Sequence, residues 1–394
     1  MLQLILEIIF WLSIIAIIHP YSSYPIFLHL KTKNKNKNFS FYTREDNLPF
    51  VSIIMAVHNE EQILEKKIKS ILKNDYPRNL YEIIVGSDAS TDKTNNILEN
   101  FCSEENHFFL EKFTQRTGKI NIINKLIHKA QGEIILLSDA DIIFTTNTIF
   151  ELIKNFKEKK IGLVDSNLQK KNPQKTGISI QEKFYFNYEI TIKNMEGIMA
   201  GVMMGPFGGA YALRNKLFSE VPKNFLVDDF YINMKVIEKD MWCINNLNAI
   251  VFDSTSDKIQ DEFKRKIRIS TGNFQNLKEF THILFSKKIL LAFSFFSHKV
   301  LRWFGPIFIL LSIISVAILF NSGLFYQVFA TLLFFSLIIP IIDYFLRKYG
   351  IHIILLRFIS HYYYMNLGLF IGLLKYIKGV KTNVWEPTKR ESNP

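Results

Sequence analysis

Apolar residues are concentrated at the two ends of the chain. The first thirty residues contain no Lys or Arg, and basic residues begin only at Lys31. A secretory signal peptide carries its positive charge before the apolar run, so this pattern predicts an uncleaved transmembrane anchor over residues 1–30. Because positive charge flanks membrane segments on the cytoplasmic side, the amino terminus is predicted outside and Lys31 in the cytoplasm.

Two further apolar segments, joined by the turn NSG, predict a pair of transmembrane helices over residues 303–345. Each is close to the roughly 20 residues that cross a bilayer. A third segment, 351–377, carries Arg357, His361 and three consecutive tyrosines, which favours an interfacial or re-entrant helix. A third crossing is the alternative, but the interfacial helix keeps the basic tail 378–394 in the cytoplasm.

Between these segments, residues 50–285 alternate short apolar runs with stretches of helical period. The apolar runs are PFVSIIMAV, YEIIVGSD, HFFLEKF and EIILLSD, and the helical stretches are EEQILEKKIKSILK, TDKTNNILENF and GKINIINKLIHKAQ. This alternation predicts an α/β domain with a parallel, doubly wound sheet. A basic linker over residues 31–49 leads into the domain, and an interfacial helix over residues 286–302 is predicted to follow it.

Composition and charge change this picture little. The 394 residues are 48% hydrophobic, which excludes a disordered chain, and the formal net charge is +12. We attribute the positive charge to lysines that flank membrane segments, and no nucleic-acid partner is expected because the sequence shows none of the usual nucleic-acid-binding modules. The two cysteines, Cys102 and Cys243, predict neither a disulfide framework nor a cysteine-based zinc site.

Polar clusters end the first, second and fourth predicted strands. They are His58-Asn59-Glu60, Ser87-Asp88 and Asp139-Ala140-Asp141. Ligands bind doubly wound sheets at the carboxyl ends of the strands, beside a topological switch point. Asp139 and Asp141 can therefore contribute to one site for Mg²⁺ or Mn²⁺, which would take its other ligands from water and substrate phosphates. The alternative is a strand-to-helix turn with an Asp cap.

Two loops beside these clusters could bind other parts of a ligand. Arg116 and Lys119 flank a glycine just before a predicted helix, where two cations and a helix amino terminus could hold a phosphate. A solvated basic loop is the alternative. Asp88 could accept hydrogen bonds from a base or ribose, whereas a helix cap by Ser90 or Asp92 is the plain alternative for this segment.

Six motifs then occur in a familiar order: VSIIMAVHNEE, SDASTD, RTGK, LLSDAD, FLVDDF and RKIRISTGNFQNL. In this order they resemble the family 2 glycosyltransferases, the membrane-bound inverting enzymes related to cellulose, chitin and hyaluronan synthases. WEPTKR near the carboxyl end is similar to the W-x-x-T-x-R ending of several of these synthases. The resemblance covers about residues 50–285 and the flanking membrane segments, and it implies a Rossmann-like GT-A nucleotide-sugar fold.

The resemblance implies a role for each acidic motif. Asp88 corresponds to the aspartate that contacts the uracil or ribose of the donor. Asp139 and Asp141 correspond to the D-x-D pair, with Asp141 the more direct metal ligand. Asp229 corresponds to the catalytic base, and Asp228 replaces the glutamate that precedes it in the family. A helix start is the alternative for Asp228 and Asp229.

The last motif departs from the family pattern. RKIRISTGNFQNL resembles the Q-x-x-R-W segment, with Arg265 in the glutamine position and Arg268 as a predicted diphosphate contact. Ile269 stands where processive synthases have the tryptophan that helps to hold the acceptor, which argues against long-chain synthesis. The alternative is a basic helix face attracted to anionic lipid.

The donor-binding residues implied by the resemblance are Glu60, Asp88, Arg116, Lys119, Asp139 and Arg268. The acceptor-side residues are Gly208, Gly209, Asp228 and Gln275. Glycines let the backbone approach a sugar closely, and a tight turn is the alternative for the glycine cluster. Glu60 could also be a first-turn acid favoured by the helix dipole.

These assignments predict a metal-dependent, inverting hexosyltransferase at the cytoplasmic face of a bacterial-type inner or plasma membrane. Inverting transfer needs a carboxylate base at the acceptor and a cation at the diphosphate. The expected partners are a nucleotide-sugar donor, a UDP-hexose in the first instance, a polysaccharide or lipid-linked acceptor, and membrane lipid.

Proteins of other classes fit the sequence less well. A catalytically inactive, membrane-anchored nucleotide-sugar-binding scaffold is the alternative function. A dinucleotide-dependent oxidoreductase is disfavoured because no G-x-G-x-x-G follows the first strand. A transporter is disfavoured because the chain offers too few spans.

Overall fold

The structure is a computed structural model that describes residues 1–35, 39–170, 179–253, 259–380 and 382. WEPTKR, most of the tail 378–394 and part of the linker 31–49 lie outside these residues. The described residues fall into two compact units. We call them the sheet unit, which contains residues 39–170 and 186–253, and the helical unit, which contains residues 1–30, 184–185 and 259–379.

Eight strands in the described part of the chain form one sheet. They are β1 (Val51–Val57), β2 (Tyr81–Asp88), β3 (Phe108–Phe113), β4 (Ile134–Ser138), β5 (Ile142–Phe144), β6 (Ile161–Lys170), β7 (Ala210–Arg214) and β8 (Trp242–Asp253). Their order across the sheet is β3-β2-β1-β4-β7-β6-β8-β5. β1, β2 and β4 are almost fully buried, as is typical of parallel strands covered on both faces, whereas β3 at the edge of the sheet is partly exposed.

Helices connect these strands and form the helical unit. From the amino terminus they are α1 (Leu2–Ile18), α2 (Ser23–Thr32), α3 (Leu64–Leu72), α4 (Thr94–Glu104), α5 (Lys119–Ile127), α6 (Thr148–Ile153), α7 (Ser179–Ala200), α8 (Asp228–Glu238), α9 (Ile259–Phe280), α10 (Ile289–Ser294), α11 (Leu301–Trp303), α12 (Gly305–Ile318), α13 (Leu324–Lys348) and α14 (Ile354–Lys378). In the sheet unit, α3 buries Leu64, Ile68 and Ile71 at helical spacing.

The α/β prediction is confirmed, but the sheet is mixed. β1 pairs in parallel with β2 and β4, and β2 pairs in parallel with β3. In contrast, β7 is antiparallel to β4 and β6, and β5 is antiparallel to β8. The predicted parallel pairing is thus found among β1 to β4 and also between β6 and β8, whereas β5 and β7 are antiparallel to their neighbours. β5 cannot be a parallel neighbour of β4, because only residues 139–141 separate the two strands and a parallel crossover needs about a dozen residues or more.

The strand order creates a switch point beside β1. The chain passes from β1 to β2 and β3 on one side and then returns to place β4 on the other side of β1. The carboxyl ends of β1, β2 and β4 therefore meet at one edge of the sheet. His58, Asp88 and Asp139 lie at or directly after these three ends.

In the helical unit, three helices of the described residues are long and apolar enough to cross a membrane. They cover Leu2–Tyr21, Gly305–Ser322 and Leu324–Lys348. The predicted anchor over residues 1–30 is not one continuous helix, because α1 ends at Ile18 and α2 begins at Ser23. Pro20 lies between them and has no N–H to continue the helical hydrogen bonds.

The remaining predicted membrane segments are helical. The segment 286–302 contains α10, a π-helical turn over Phe295–Val300 and most of α11. The segment 351–377 corresponds to α14, which packs against α9. Whether either segment lies at the interface or crosses the bilayer stays a prediction.

Candidate active site

Asp88 organises the loop that carries Arg116 and Lys119. The Asp88 carboxylate accepts hydrogen bonds from the backbone N–H groups of Thr117 at 2.5 Å and Gly118 at 3.1 Å. It also accepts a hydrogen bond from Arg116 Nε at 3.2 Å. Gly118 precedes α5 with φ of 84°, a value that favours glycine. The sequence predicted that Asp88 contacts the nucleotide-sugar donor, and this contact stays a prediction. In the structure the Asp88 carboxylate holds the loop before α5 in place.

His58 extends this network to the end of β1. Arg116 Nη1 lies 2.7 Å from His58 Nε2, and His58 Nδ1 lies 2.7 Å from the carbonyl oxygen of Asp88. Because Arg116 can only donate, we assign the ring proton to Nδ1, which donates to the Asp88 carbonyl. The ends of β1 and β2 and the loop before α5 are therefore tied together.

The helix-cap alternative is also realised in this segment. Asp92 accepts hydrogen bonds from the backbone N–H groups of Thr94 at 2.9 Å and Glu61 at 3.2 Å. Glu60 lies in the same turn, and its backbone N–H donates to Thr94 Oγ1 at 2.8 Å. The predicted contact of Glu60 with the donor stays a prediction.

Replacement of Asp88 with Ala is expected to loosen the loop that carries Arg116. The change leaves the N–H groups of Thr117 and Gly118 without their acceptor, and a buried unpaired group costs about 1–3 kcal/mol of unfolding free energy. Thermal unfolding and titration with a nucleotide sugar measure the two effects. Asp92→Ala is the matched control, because Asp92 also accepts backbone N–H groups but does not contact the Arg116 loop. Equal loss of donor affinity in both variants would contradict this role.

Lys119 joins two acidic motifs that are far apart in the sequence. Its Nζ lies 2.7 Å from Asp139 Oδ1 and 3.7 Å from Asp228 Oδ2. Burial opposes the positive charge of Lys119, but the carboxylates of Asp139, Asp228 and Asp229 outweigh it and raise the lysine pKa. Desolvation raises the pKa of Asp139, and Lys119 opposes that rise. The structure thus brings the RTGK, D-A-D and V-D-D-F motifs to one place.

Asp229 is the best-placed base among these carboxylates. It follows Asp228 at the start of α8, as the helix-start alternative also predicted, and its Oδ1 accepts the N–H of Phe230 at 2.6 Å. Burial and the neighbouring Asp228 raise the pKa of Asp229 to about 6, against the opposing effects of Lys119 and Lys193. A carboxylate with a pKa in this range is ionised at neutral pH and basic enough to accept a proton.

The glycine loop over residues 205–209 lies against Asp229. Gly208 has φ of +86°, and a Cβ atom there would lie only 2.3 Å from Asp229 Oδ2. The loop also contacts the D-A-D segment, since the Gly209 carbonyl accepts hydrogen bonds from the Asp139 N–H at 3.0 Å and from Ser138 Oγ at 3.1 Å. Gly208 and Gly209 therefore lie beside Asp229 and the D-A-D segment, and their predicted place on the acceptor side stays a prediction.

Three buried polar residues of the site were missed by sequence reasoning. Lys67 of α3 is completely buried, donates to Ser138 Oγ at 2.7 Å and lies 3.6 Å from the centre of the Phe144 ring. Burial lowers its pKa, against the effects of Asp141 and Asp139. The spacing Leu64, Lys67, Ile68, Ile71 was a usable signal, because it places Lys67 on the buried face of α3.

The other two are Tyr211 of β7 and Asp165 of β6, which are opposite each other in the sheet. Within the described residues the Tyr211 hydroxyl has no hydrogen-bond partner. Burial raises its pKa well above the usual value, and nearby carboxylates, Asp228 and Asp229 foremost, add to that effect. A charged residue inside the apolar run IGLV-D-S was the available signal for Asp165.

The donor atoms of the D-A-D segment fit a hard divalent cation. Asp139 and Asp141 supply carboxylate oxygens, and the Asp139 side chain is 37% exposed. In the part of the chain that the structure describes, no group of three or more His, Cys, Asp or Glu side chains is placed to hold a metal ion. Mg²⁺ needs only one or two carboxylates when waters and substrate phosphates complete its shell, so the residues present fit such an ion.

Arg268 and Gln275 lie on α9 in the helical unit. Their assigned contacts with the diphosphate and the acceptor stay predictions. The other predicted site residues all lie in the sheet unit at or near the carboxyl edge of β1, β2 and β4.

A mixed sheet carries an acidic cluster and a basic loop at its switch point. Residues 52–221 match the model of glycosyl transferase family 2. The resemblance to this family that the ordered motifs predicted is therefore confirmed for this part of the chain.

Two curated relatives illustrate the range of the family. The chain is 35% identical over 122 residues to beta-monoglucosyldiacylglycerol synthase from Nostoc sp., a match that covers 30% of this chain and 26% of the relative. It is 24% identical over 278 residues to poly-beta-1,6-N-acetyl-D-glucosamine synthase from Staphylococcus epidermidis, a match that covers 67% of this chain and 65% of the relative. The chain thus spans about a quarter of the first relative and just under two thirds of the second.

Among solved structures, a mannosyltransferase from Pyrobaculum calidifontis in complex with GDP-Man and Mn²⁺ superposes with a TM-score of 0.71. The match covers 94% of this chain and 99% of that chain at 19% sequence identity. At this identity the likeness shows the fold alone. The predicted GT-A fold is confirmed.

Proposed function

We propose that the protein is an inverting glycosyltransferase that transfers a hexose from a nucleotide sugar to a polysaccharide or lipid-linked acceptor at a membrane. The observation that carries the proposal is the ion-pair network in which Lys119 bridges Asp139 and Asp228, directly beside Asp229. This network supports a single site in which cations at one end could bind phosphate and a carboxylate at the other end could accept a proton. Because these groups lie close together, they could act on one donor and one acceptor in the same transfer step.

Asp229 is the residue that accepts the proton in this reaction. The acceptor hydroxyl attacks the anomeric carbon from the face opposite the nucleoside diphosphate, and its proton passes to the Asp229 carboxylate. The glycine loop over residues 205–209 packs against this carboxylate so closely that a Cβ at Gly208 would lie 2.3 Å from Asp229 Oδ2, which fixes one side of the base. Inversion follows from this single displacement.

At the other end of the site, Arg116 and Lys119 are the cations of this chain that would face the diphosphate. Asp139 and Asp141 would hold Mg²⁺ or Mn²⁺, which neutralises the charge that develops on the leaving diphosphate. We propose a UDP-hexose as the first donor to test. The structural relative binds GDP-Man, so a guanosine donor belongs in the same panel.

The helical unit supports a membrane-bound acceptor. Three helices of the described residues could cross a bilayer by length and composition, and the sequence places basic residues after the first of them. We therefore place the sheet unit at the cytoplasmic face. Of the two relatives, one is named as a synthase of a glycolipid and the other as a synthase of a polysaccharide, and these are the two acceptor classes that we propose.

A donor panel with purified protein in nanodiscs tests the function. Nucleotide release is measured with UDP-GlcNAc, UDP-glucose, UDP-galactose, UDP-GlcA and GDP-mannose, each with Mg²⁺, Mn²⁺ or chelator, in the presence of diacylglycerol or short glycans. We expect release from one donor and a short product, because Ile269 replaces the acceptor-side tryptophan. Donor binding without release under every condition would contradict the proposal and favour the scaffold.

Replacement of Asp141 with Ala is expected to weaken Mn²⁺ binding and metal-dependent donor binding. Loss of a direct ligand should exceed the roughly 10–100-fold cost that is typical of outer-shell partners. Electron paramagnetic resonance of Mn²⁺ and titration of the donor measure the two affinities. Asp46→Ala, at an ion pair with Lys157 outside the site, is the control. Unchanged Mn²⁺ affinity in Asp141→Ala would contradict the assignment of this ligand.

A further inference from the structure

Asp165 is a buried carboxylate for which the reaction described above has no use. It lies in β6 and is 0% exposed. Its Oδ2 accepts a hydrogen bond from the backbone N–H of Phe207 at 3.2 Å, whereas Oδ1 has no hydrogen-bond partner among the described residues. Burying a carboxylate with an unsatisfied oxygen costs free energy. A charged residue at this position therefore asks for a role outside packing.

The hydrogen bond from Phe207 connects Asp165 to the base. Phe207 directly precedes Gly208, whose backbone lies so close to Asp229 that a Cβ would be 2.3 Å from Oδ2. The Phe207 ring is held on its own account, because it stacks on Phe186 with centroids 5.0 Å apart and lies 3.6 Å from Lys193 Nζ. Asp165 thus fixes the backbone of the residue next to the one that contacts the base.

Titratable groups around Asp229 come from several elements. Asp165 of β6 and Asp228 of α8 are acidic, while Lys119 of α5 and Lys193 of α7 are basic. Tyr211 of β7 and Asp139 also face this cluster. Burial raises the pKa of Asp165 to about 7, Lys193 opposes the rise, and the charge of Asp229 adds to it. Because the pKa of Asp229 is about 6, Asp229 ionises before Asp165, and the link from Asp165 to the base is the hydrogen bond to Phe207 rather than its charge.

We propose that Asp165 is a positioning residue for Asp229, holding the glycine loop against that carboxylate through the Phe207 N–H. The inference rests on the proposed function, because it needs Asp229 to be the base. Asp165 touches no substrate and transfers no proton. Without its carboxylate oxygen the Phe207 N–H loses its acceptor, and the loop can shift away from Asp229.

Asp165→Leu removes the acceptor of the Phe207 N–H, whereas Asp165→Asn keeps an amide oxygen that can still accept it. In Asp165→Leu, kcat should fall several-fold while KM for the donor is unchanged, because the loop that contacts Asp229 shifts. In Asp165→Asn, kcat should return to near the wild-type value. If only the buried charge mattered, the two variants would lose kcat equally.

Glu82→Leu is the matched control. Glu82 is also a buried carboxylate that accepts a backbone N–H, from Gln131 at 2.7 Å, but it lies in the first half of β2, away from Asp229. Its loss should lower thermal stability and leave kcat of the folded protein unchanged.

The outcomes distinguish this inference from the proposed function. A wild-type protein that transfers no sugar from any donor overturns both. An active wild-type protein whose kcat is unchanged in Asp165→Leu, or falls equally in Asp165→Asn or in Glu82→Leu, overturns the role of Asp165 and leaves the proposed function standing. If Asp165→Leu does not fold, a several-fold loss of kcat in the folded Asp165→Asn variant overturns the role.

Discussion

Asp229→Asn is expected to lower the rate of sugar transfer by about 10²–10⁴-fold, the contribution typical of a general base, with donor affinity nearly unchanged. Asn keeps the shape of the side chain and can still accept the N–H of Phe230, but it cannot take the proton of the acceptor. Single-turnover transfer and donor titration on the same preparation measure the two quantities. In the wild-type protein the rate should fall below about pH 6, because the pKa of Asp229 is raised to about 6 and its protonated form is inactive.

Glu238→Gln provides the control for this experiment. Glu238 ends the same helix, α8, and pairs with Lys235 at 3.1 Å rather than with a site residue. The substitution removes one negative charge at the far end of the helix from Asp229. The transfer rate of the variant should therefore match that of the wild-type protein. Normal turnover of Asp229→Asn would contradict the assignment of the base, as would a comparable loss in Glu238→Gln.

Gly208→Ala is expected to reduce transfer on the order of 100-fold, the effect of a displacement of about 1 Å at a reacting group. The new Cβ would lie 2.3 Å from Asp229 Oδ2, so the carboxylate or the loop must move. The φ of +86° adds strain, roughly 1–2 kcal/mol for a residue other than glycine. Transfer rate, donor affinity and thermal unfolding of the variant measure these effects separately.

Gly350→Ala is the control that has backbone strain without a steric clash. Gly350 has φ of +74°, and no heavy atom of the described residues lies within 4 Å of the position of its Cβ. It should therefore lower thermal stability to a similar degree without loss of transfer. Equal rates of sugar transfer in Gly208→Ala and Gly350→Ala would show that the contact between the glycine loop and Asp229 does not affect the reaction.

The sequence was most informative at the ends of the parallel strands. Apolar runs that stop at His58, Asp88 and Asp139 predicted both the strands and the edge at which these residues meet, because the alternation of strand and helix sets the direction of each strand. The ordered motifs added Asp229, which is far from Asp139 in the sequence but lies near the same edge of the sheet. Local pattern and family resemblance were each needed.

Other features depend on tertiary packing and left only a faint trace. The patterns around Lys67 and Asp165 favoured burial, but both residues are charged, and charged residues are almost never fully buried unless they are paired, so their residue type argued for exposure. The antiparallel direction of β7 depends on the return path of the chain after α7, which no periodicity records. The break between α1 and α2 was visible as Pro20, but the apolar run on both sides of it concealed the break.

The contact between α9 and α14 has a mechanical consequence. Ser270 Oγ donates to the Leu369 carbonyl at 2.8 Å, and Thr271 Oγ1 donates to the Gly372 carbonyl at 3.2 Å. A Cβ on Gly372 would lie 2.4 Å from Ser270 Cβ, so the two backbones touch without side chains between them. Close backbone contact of this kind couples the two helices, so that a change in the tilt of α14 would be transmitted to the helix that carries Arg268 and Gln275.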